Sequence, residues 1–298
     1  MGDYQTYEIP VLGGNIHVAH WGNKGPVLFA IHGITATHMS WLSLAEQISE
    51  DYQLIAIDLR GRGRSAEISG PWGLSEHASD VIAVLDYLDI AQVDVLLGHS
   101  MGGFVSAILA AEHAERFKQI VFLDGGIPVL EELPEGVTAE QLVQAVLGPS
   151  IARLEMTFES QQAYLEFWAE HPAFDAEWSR YVEEYALYDL VGEAPKLRSG
   201  VKKDAIIGDV ESQVSDDLLQ RSLKKMRQPL RFIRAEFGIQ GPEPLYSKDT
   251  VDKFINQYAG EASSCVFNGR NHFTALISLT GAEMLAAELR TLLGNSNE

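Results

Sequence analysis

The chain has 298 residues, 46% of them apolar and 21% charged, which suits one sizeable α/β domain carrying an insertion. Its net charge of −20 argues against nucleic acid or an anionic membrane surface as a partner. The single cysteine, Cys265, cannot close an internal disulfide, and no apolar run reaches the length of a membrane span. Met1 to Pro10, with Asp3 and Glu8, lacks the basic start and apolar stretch of a secretion signal, so a soluble cytoplasmic protein is expected.

In chain order, Thr6–Val11 and Asn15–His20 flank Gly13 and Gly14 and read as an opening β-hairpin. Pro26–Ile31 is a buried strand ending in His32-Gly33-Ile34-Thr35, followed by a helix from about Ser40 to Glu50. Tyr52–Ile57 is the next strand and closes with Asp58-Leu-Arg-Gly-Arg-Gly-Arg-Ser65. Ser75–Leu88 has helical spacing, with Val81, Val84, Leu85 and Leu88 on one face. Val93–Leu97 is a strand and Phe104–Arg116 its helix. Gln119–Leu123 is a further strand ending in Asp124-Gly125-Gly126. Later, Leu230–Ala235 and Ser264–Phe267 read as strands with a helix, Val251–Tyr258, between them, and a last helix runs from about Ser278 to Leu293. Nearly continuous apolar strands separated by helices predict a mostly parallel central sheet covered on both faces.

The stretch 128–200 breaks this rhythm. It holds no convincing strand and reads as helices over Ala139–Leu147, Phe158–Ala169 and Phe174–Tyr188 with a looser end. It is acidic, with 14 Asp and Glu against 4 Lys and Arg between Val129 and Gly200. Trp178, Tyr181, Tyr185 and Tyr188 are spaced as one helix face, which packing alone explains for most of them, although ligand sites favour such apolar domain interfaces. The expected division is a core of 1–127 and 201–298 with a helical cap of 128–200 inserted between strands.

One motif organises the chain. Gly98-His99-Ser100-Met101-Gly102 lies between the Val93–Leu97 strand and the following helix, the context in which G-x-S-x-G marks a nucleophile on a sharp turn. Gly98 and Gly102 let strand and helix approach closely. The first amide of that helix, on Met101, points towards where an oxyanion would form.

With these residues in view, the chain resembles an α/β-hydrolase-fold enzyme with a helical cap over essentially its whole length. The landmarks are His32-Gly33-Ile34, Asp58-x-x-Gly61-x-Gly63-x-Ser65, the Ser100 turn and Gly269-Arg270-Asn271-His272, in the order that the fold demands. The resemblance implies Ser100 as nucleophile and His272, in the loop after the last strand, as its base. It also implies a structural role for His32 and a second oxyanion donor on Ile34 beside Met101. His99 is expected to point away from the site, as neighbours around such a turn do. His17, His20, His38, His77, His113 and His171 carry no motif.

The third member is less direct. Most of the family carries the acid as the fourth residue of G-x-x-D or A-x-x-D after the strand that here is Leu230–Ala235, but this chain reads Ala235-Glu236-Phe237-Gly238. Some relatives place the acid at the end of the preceding strand, where Asp124 stands. Asp124 is preferred, with Glu236 as the competitor and a turn-forming role as the plain alternative for Asp124.

These readings predict a serine hydrolase that cleaves carboxylic esters of small to medium, apolar, uncharged molecules through an acyl-enzyme. The alternatives are a carbon–carbon bond hydrolase of the same fold or a ligand-binding receptor that keeps the triad. No cofactor and no metal is expected, since there is no H-E-x-x-H, cysteine–histidine cluster, dinucleotide fingerprint or P-loop. Arg60, Arg62 and Arg64 read as a structural loop, not a phosphate site. The expected partner is a small-molecule ester.

Overall fold

The structure is a computed structural model that describes residues 4–128, 136–138, 141, 148, 151–175, 177–215, 217–239 and 241–294. The strands are β1 (Gln5–Val11), β2 (Gly14–Trp21), β3 (Val27–Ile31), β4 (Gln53–Ile57), β5 (Val93–His99), β6 (Phe117–Leu123), β7 (Leu190–Val191), β8 (Arg198–Ser199), β9 (Leu230–Ala235) and β10 (Ala262–Phe267). The helices are α1 (Leu42–Ile48), α2 (Leu74–Tyr87), α3 (Met101–Glu112), α4 (Gln161–Ala169), α5 (Arg180–Asp189), α6 (Lys203–Ser215), α7 (Leu218–Lys225), α8 (Lys248–Gln257) and α9 (Leu279–Gly294).

Eight strands form one sheet in the order β1-β2-β4-β3-β5-β6-β9-β10. Within this sheet the β1–β2 and β2–β4 pairings are antiparallel and the other five are parallel, so the centre is a parallel α/β sheet, as its apolar strands predict. Alternation divides each inner strand between two buried layers. Phe29, Ile31, Leu96 and Phe122 face one, and Leu28, Ala30, Val95, Leu97 and Val121 face the other. The register sets Gly98 beside Phe122 and Leu123 beside Ile233. The residues that follow β5, β6, β9 and β10 therefore gather at the carboxyl edge of the sheet, where ligands bind in open α/β folds.

The Asp58 loop is a hydrogen-bonded knot. Both oxygens of the buried Asp58 carboxylate are engaged, one by the His38 amide at 2.8 Å and His38 Nδ1 at 2.9 Å, the other by the Arg64 amide at 2.8 Å and the Tyr188 hydroxyl at 2.6 Å. Gly63 makes this possible, because a Cβ there would lie 2.2 Å from Asp58 Oδ2. Burial pushes the Asp58 pKa up, but the His38 ring and the other donors outweigh it and hold the carboxyl below its ordinary value. Arg60 and Arg62 are enclosed. Arg60 forms two bonds to Asp80, at 2.7 and 2.6 Å, and Arg62 pairs with Asp209 of α6 at 2.5 Å. Asp209 also accepts from His77 at 3.0 Å and the Gly73 amide at 2.9 Å, which ties α6 to the start of α2.

Several sequence expectations are corrected. The expected helix from Ser40 begins as a 3₁₀ turn, His38–Trp41, before α1. Helix α3 starts directly after Ser100 rather than at Phe104. The stretch 128–200, expected to lack strands, contains the β7–β8 ladder, whose two-residue arms are too short to show alternation. Phe158–Ala169 and Phe174–Tyr188 shorten to α4 and α5, with Ser160 capping α4 by accepting the Ala163 amide at 3.1 Å. Helices α6 and α7 were not foreseen. The expected helix Ala139–Leu147 lies, except for Gln141, outside the described residues.

Candidate active site

Ser100 sits between β5 and α3 with φ 54° and ψ −123°, a conformation that L-residues seldom adopt. Two close approaches force the turn. A Cβ on Gly98 would stand 2.5 Å from the Gly102 carbonyl oxygen, and one on Gly102 would stand 2.1 Å from the Ile31 carbonyl oxygen. The tight turn is tied to β6 by a Ser100 amide bond to the Leu123 carbonyl at 3.1 Å.

His272 and Asp124 are in direct contact: His272 Nδ1 donates to Asp124 Oδ2 at 2.7 Å. Asp124 is fully buried and has φ 45°. Its amide donates to the Ile233 carbonyl at 2.7 Å, and its second oxygen accepts the Ala235 amide at 3.0 Å, so the sheet itself aims the carboxylate. Glu236 is elsewhere, accepting the Gly269 amide at 2.5 Å. Position 238 has no room for an acid, since a Cβ there would lie 2.1 Å from the Glu243 carbonyl oxygen.

The loop bearing His272 is braced by Asn271, whose Oδ1 accepts the Phe273 and Thr274 amides at 3.0 and 2.8 Å. Its Nδ2 donates to the Ala173 carbonyl at 2.8 Å, and Arg270 pairs with Glu177. The His272 loop is thereby strapped to the segment that precedes α5.

Ser100 and His272 line one pocket together with Ile34, Tyr185, Phe273 and Ile277, among others. Among the described residues the Ser100 hydroxyl makes no hydrogen bond. Unliganded sites commonly leave that contact unformed. No Arg or Lys lines this pocket among the described residues. Of the four aromatics read as one face, Tyr185 lines it, while the Tyr181 hydroxyl bonds Glu46 at 2.9 Å, Tyr188 bonds Asp58, and Trp178 Nε1 bonds Glu183 at 3.0 Å.

Met101 is the first residue of α3, so its N–H has no acceptor within the helix. Ile34 lies across the pocket, and its carbonyl is held by Arg62 Nε at 2.9 Å. His32 shapes this turn. The Leu59 amide donates to Nε2 at 3.0 Å, which leaves Nδ1 to donate to the Gly33 carbonyl at 2.7 Å. Burial pushes the His32 pKa down to about 3 from 6.5. The unfolded chain then takes up this proton at a higher pH than the folded one. The stability it contributes is complete above about pH 6.5 and falls as the pH drops towards 3, by up to about 1.4 kcal/mol per pH unit. His32→Gln is expected to lower stability at neutral pH and to flatten that decline. Urea midpoints measured from pH 7 to pH 3.5 check this, and an unchanged slope contradicts it.

One residue the sequence reading set aside belongs here. His99 does not point away. It lines the pocket, its ring centroid is 4.6 Å from that of His272, and its Nε2 donates to the His272 carbonyl at 2.9 Å. The signal was present in β5: Val95, Leu97 and His99 alternate onto the face whose buried layer also contains Tyr185 and Ile277.

A separate group, His17, His38 and Asp58, brings ligand-type atoms within 4.8 Å of one another. The four hydrogen bonds already on Asp58 occupy its acceptor sites, so the group reads as part of the knot described above.

A family model of the α/β hydrolase fold matches residues 26–173. With this sheet and site geometry, the chain belongs to the α/β-hydrolase fold family. The similarity to curated proteins is partial. A lipase of Mycobacterium tuberculosis, LipV, is 32% identical over 148 residues, which cover 47% of this chain and 54% of the lipase. This chain thus spans about half the lipase's length. An N-formylmaleamate deformylase of Pseudomonas putida is 29% identical over 192 residues, 59% of this chain and 68% of the deformylase. Among solved structures, an E-2-(acetamidomethylene)succinate hydrolase superposes with a TM-score of 0.78 at 18% identity over 98% of this chain and 100% of that one, a likeness of fold.

Proposed function

We propose that the protein is a serine carboxylesterase that works through an acyl-enzyme, with Ser100 as nucleophile, His272 as base and Asp124 as the acid that orients it. The observation that carries this reading is the 2.7 Å bond from His272 Nδ1 to Asp124, made by a histidine that shares a pocket with Ser100. That bond leaves His272 Nε2 as the proton acceptor for a serine that cannot ionise unaided. The Ile34 and Met101 amides stabilise the oxyanion, and 128–200 acts as a cap that contributes Tyr185 to the lining.

The apolar lining, without Arg or Lys among the described residues, supports a small, uncharged acyl group. N-formylmaleamate, the substrate named for the deformylase, is an anion, and nothing in this lining would neutralise it. Acidic residues of the cap add to that bias within a Debye length of about 8–10 Å. The cytoplasm is the proposed compartment, in keeping with the single cysteine.

A fluorophosphonate probe followed by intact-mass measurement tests the nucleophile, and p-nitrophenyl esters of increasing acyl length test the pocket. Labelling at Ser100 with turnover that peaks at short acyl chains is the expected result. Labelling without ester turnover would move the reading to carbon–carbon bond hydrolysis or to a receptor, and no labelling would overturn it.

A further inference from the structure

His99, which lines the pocket, carries a polar atom that the triad chemistry does not use. His99 is 5% exposed. Because Nε2 donates to the His272 carbonyl, Nδ1 carries a bare lone pair, and this buried Nδ1 has no partner among the described residues. Burial, with the neighbouring His272, holds the His99 pKa well below its ordinary value, so the ring is neutral and Nδ1 is an acceptor. A buried acceptor left unsatisfied costs about 1–3 kcal/mol, and the large majority of such atoms in folded proteins find a partner.

The position of the atom suggests what completes it. Gly33 lacks a side chain where Ser100 and His99 meet. The place its Cβ would occupy is 3.6 Å from Ser100 Oγ and 3.4 Å from His99 Nδ1, so these two atoms are at most 7.0 Å apart. When Oγ is bonded to an acyl carbon, a donor one or two bonds further along comes within hydrogen-bond reach, with bonds of about 1.5 Å and a contact of about 2.8 Å.

We propose that His99 Nδ1 is a specificity element that accepts a hydrogen bond from a hydroxyl or amide N–H on the substrate, one or two bonds from the scissile carbonyl carbon. The preferred substrates are then α-hydroxy or N-acylamino esters rather than plain alkyl esters. This rests on the reading of Ser100 as nucleophile. A site built to bond a donor discriminates strongly against an analogue that lacks it, and a methyl group there would leave Nδ1 both buried and unpaired.

The test compares racemic methyl lactate, methyl 2-methylpropanoate, in which a methyl replaces the hydroxyl, and methyl 2-methoxypropanoate, in which the donor is blocked. Hydrolysis is followed by pH-stat, and each kcat/KM is divided by the ester's own alkaline hydrolysis rate. The expected result is that lactate exceeds both others at least tenfold in the wild-type protein. In His99→Phe that advantage falls at least fivefold relative to the variant's own rate on 2-methylpropanoate, and His99→Gln, which keeps an acceptor, retains part of it. Equal normalised rates in the wild-type protein overturn the proposal without any variant. A preference that survives in His99→Phe overturns it as well, because something else reads the donor. Failure of the parent reading is distinct: the wild-type protein would then neither take up a fluorophosphonate at Ser100 nor hydrolyse any of the three esters.

Discussion

Ser100→Ala is expected to lower kcat on a p-nitrophenyl ester by about 10⁵- to 10⁶-fold, on the scale seen when other serine hydrolases lose the nucleophile, while the melting temperature holds. The two halves of this result have separate causes. The hydroxyl makes no hydrogen bond among the described residues, so its removal breaks no contact of the folded state. The turn is imposed by the close approaches at Gly98 and Gly102, and alanine accepts the φ of 54° no less well than serine. Activity that fell only a few-fold would show that another group attacks the carbonyl. A large fall in melting temperature would show that the loss of activity reflects unfolding.

Asp124→Asn is expected to reduce kcat by about 10⁴-fold, comparable to the same replacement in other Ser-His-Asp enzymes, and Glu236→Gln by no more than about threefold. The asparagine oxygen can keep the Ala235 amide at the position of Asp124 Oδ1. Its NH₂ group then faces His272 Nδ1 and must donate to it, which moves the imidazole proton to Nε2 and removes the lone pair meant for Ser100. Glutamine at 236 still offers an oxygen to the Gly269 amide, so the base loop keeps its shape. Steady-state kinetics on both variants, with circular dichroism melts as a folding control, decide between the two carboxylates. A severe loss in Glu236→Gln with a mild one in Asp124→Asn would reverse the assignment.

The sheet was legible because β3, β4, β5 and β6 are apolar runs bounded by turns, and their ends lie within about two residues of the expectation, β5 running on through Gly98 and His99. Helix α6 was hidden by its own function. Asp209 occupies an inward position to meet Arg62 and His77, and Gly208 lies where a Cβ would meet the Trp72 Cβ at 2.7 Å and its ring at 3.0 Å. The apolar face of Ala205, Ile206 and Val210 that packs on the core is therefore interrupted by a carboxylate and a glycine. Ser100, His272 and Asp124 could be proposed from the sequence because each ends a strand or opens a loop with a recognisable spacing. His99 was misplaced for the opposite reason. The strained turn begins only at Ser100, so His99 still obeys strand alternation, and the expectation that neighbours diverge around the turn was applied one residue too early.

The bond between His272 and Asp124 joins two parts of unequal tenacity. The carboxylate is seated on a central strand, with its own amide and one oxygen held by β9 and the residue wholly enclosed. The imidazole rides on a loop held by side-chain bonds to Ala173 and Glu177, by the Phe237 amide on the Arg270 carbonyl at 3.0 Å, by His99 Nε2 on the His272 carbonyl at 2.9 Å, by Glu236 on the Gly269 amide and by one long amide contact of 3.5 Å to Gly238. Free energies of local opening are small for loops and approach the global value in central strands. Heat or denaturant is therefore expected to displace the His272 loop while Asp124 is still in place, as a local event that precedes the collapse of the sheet.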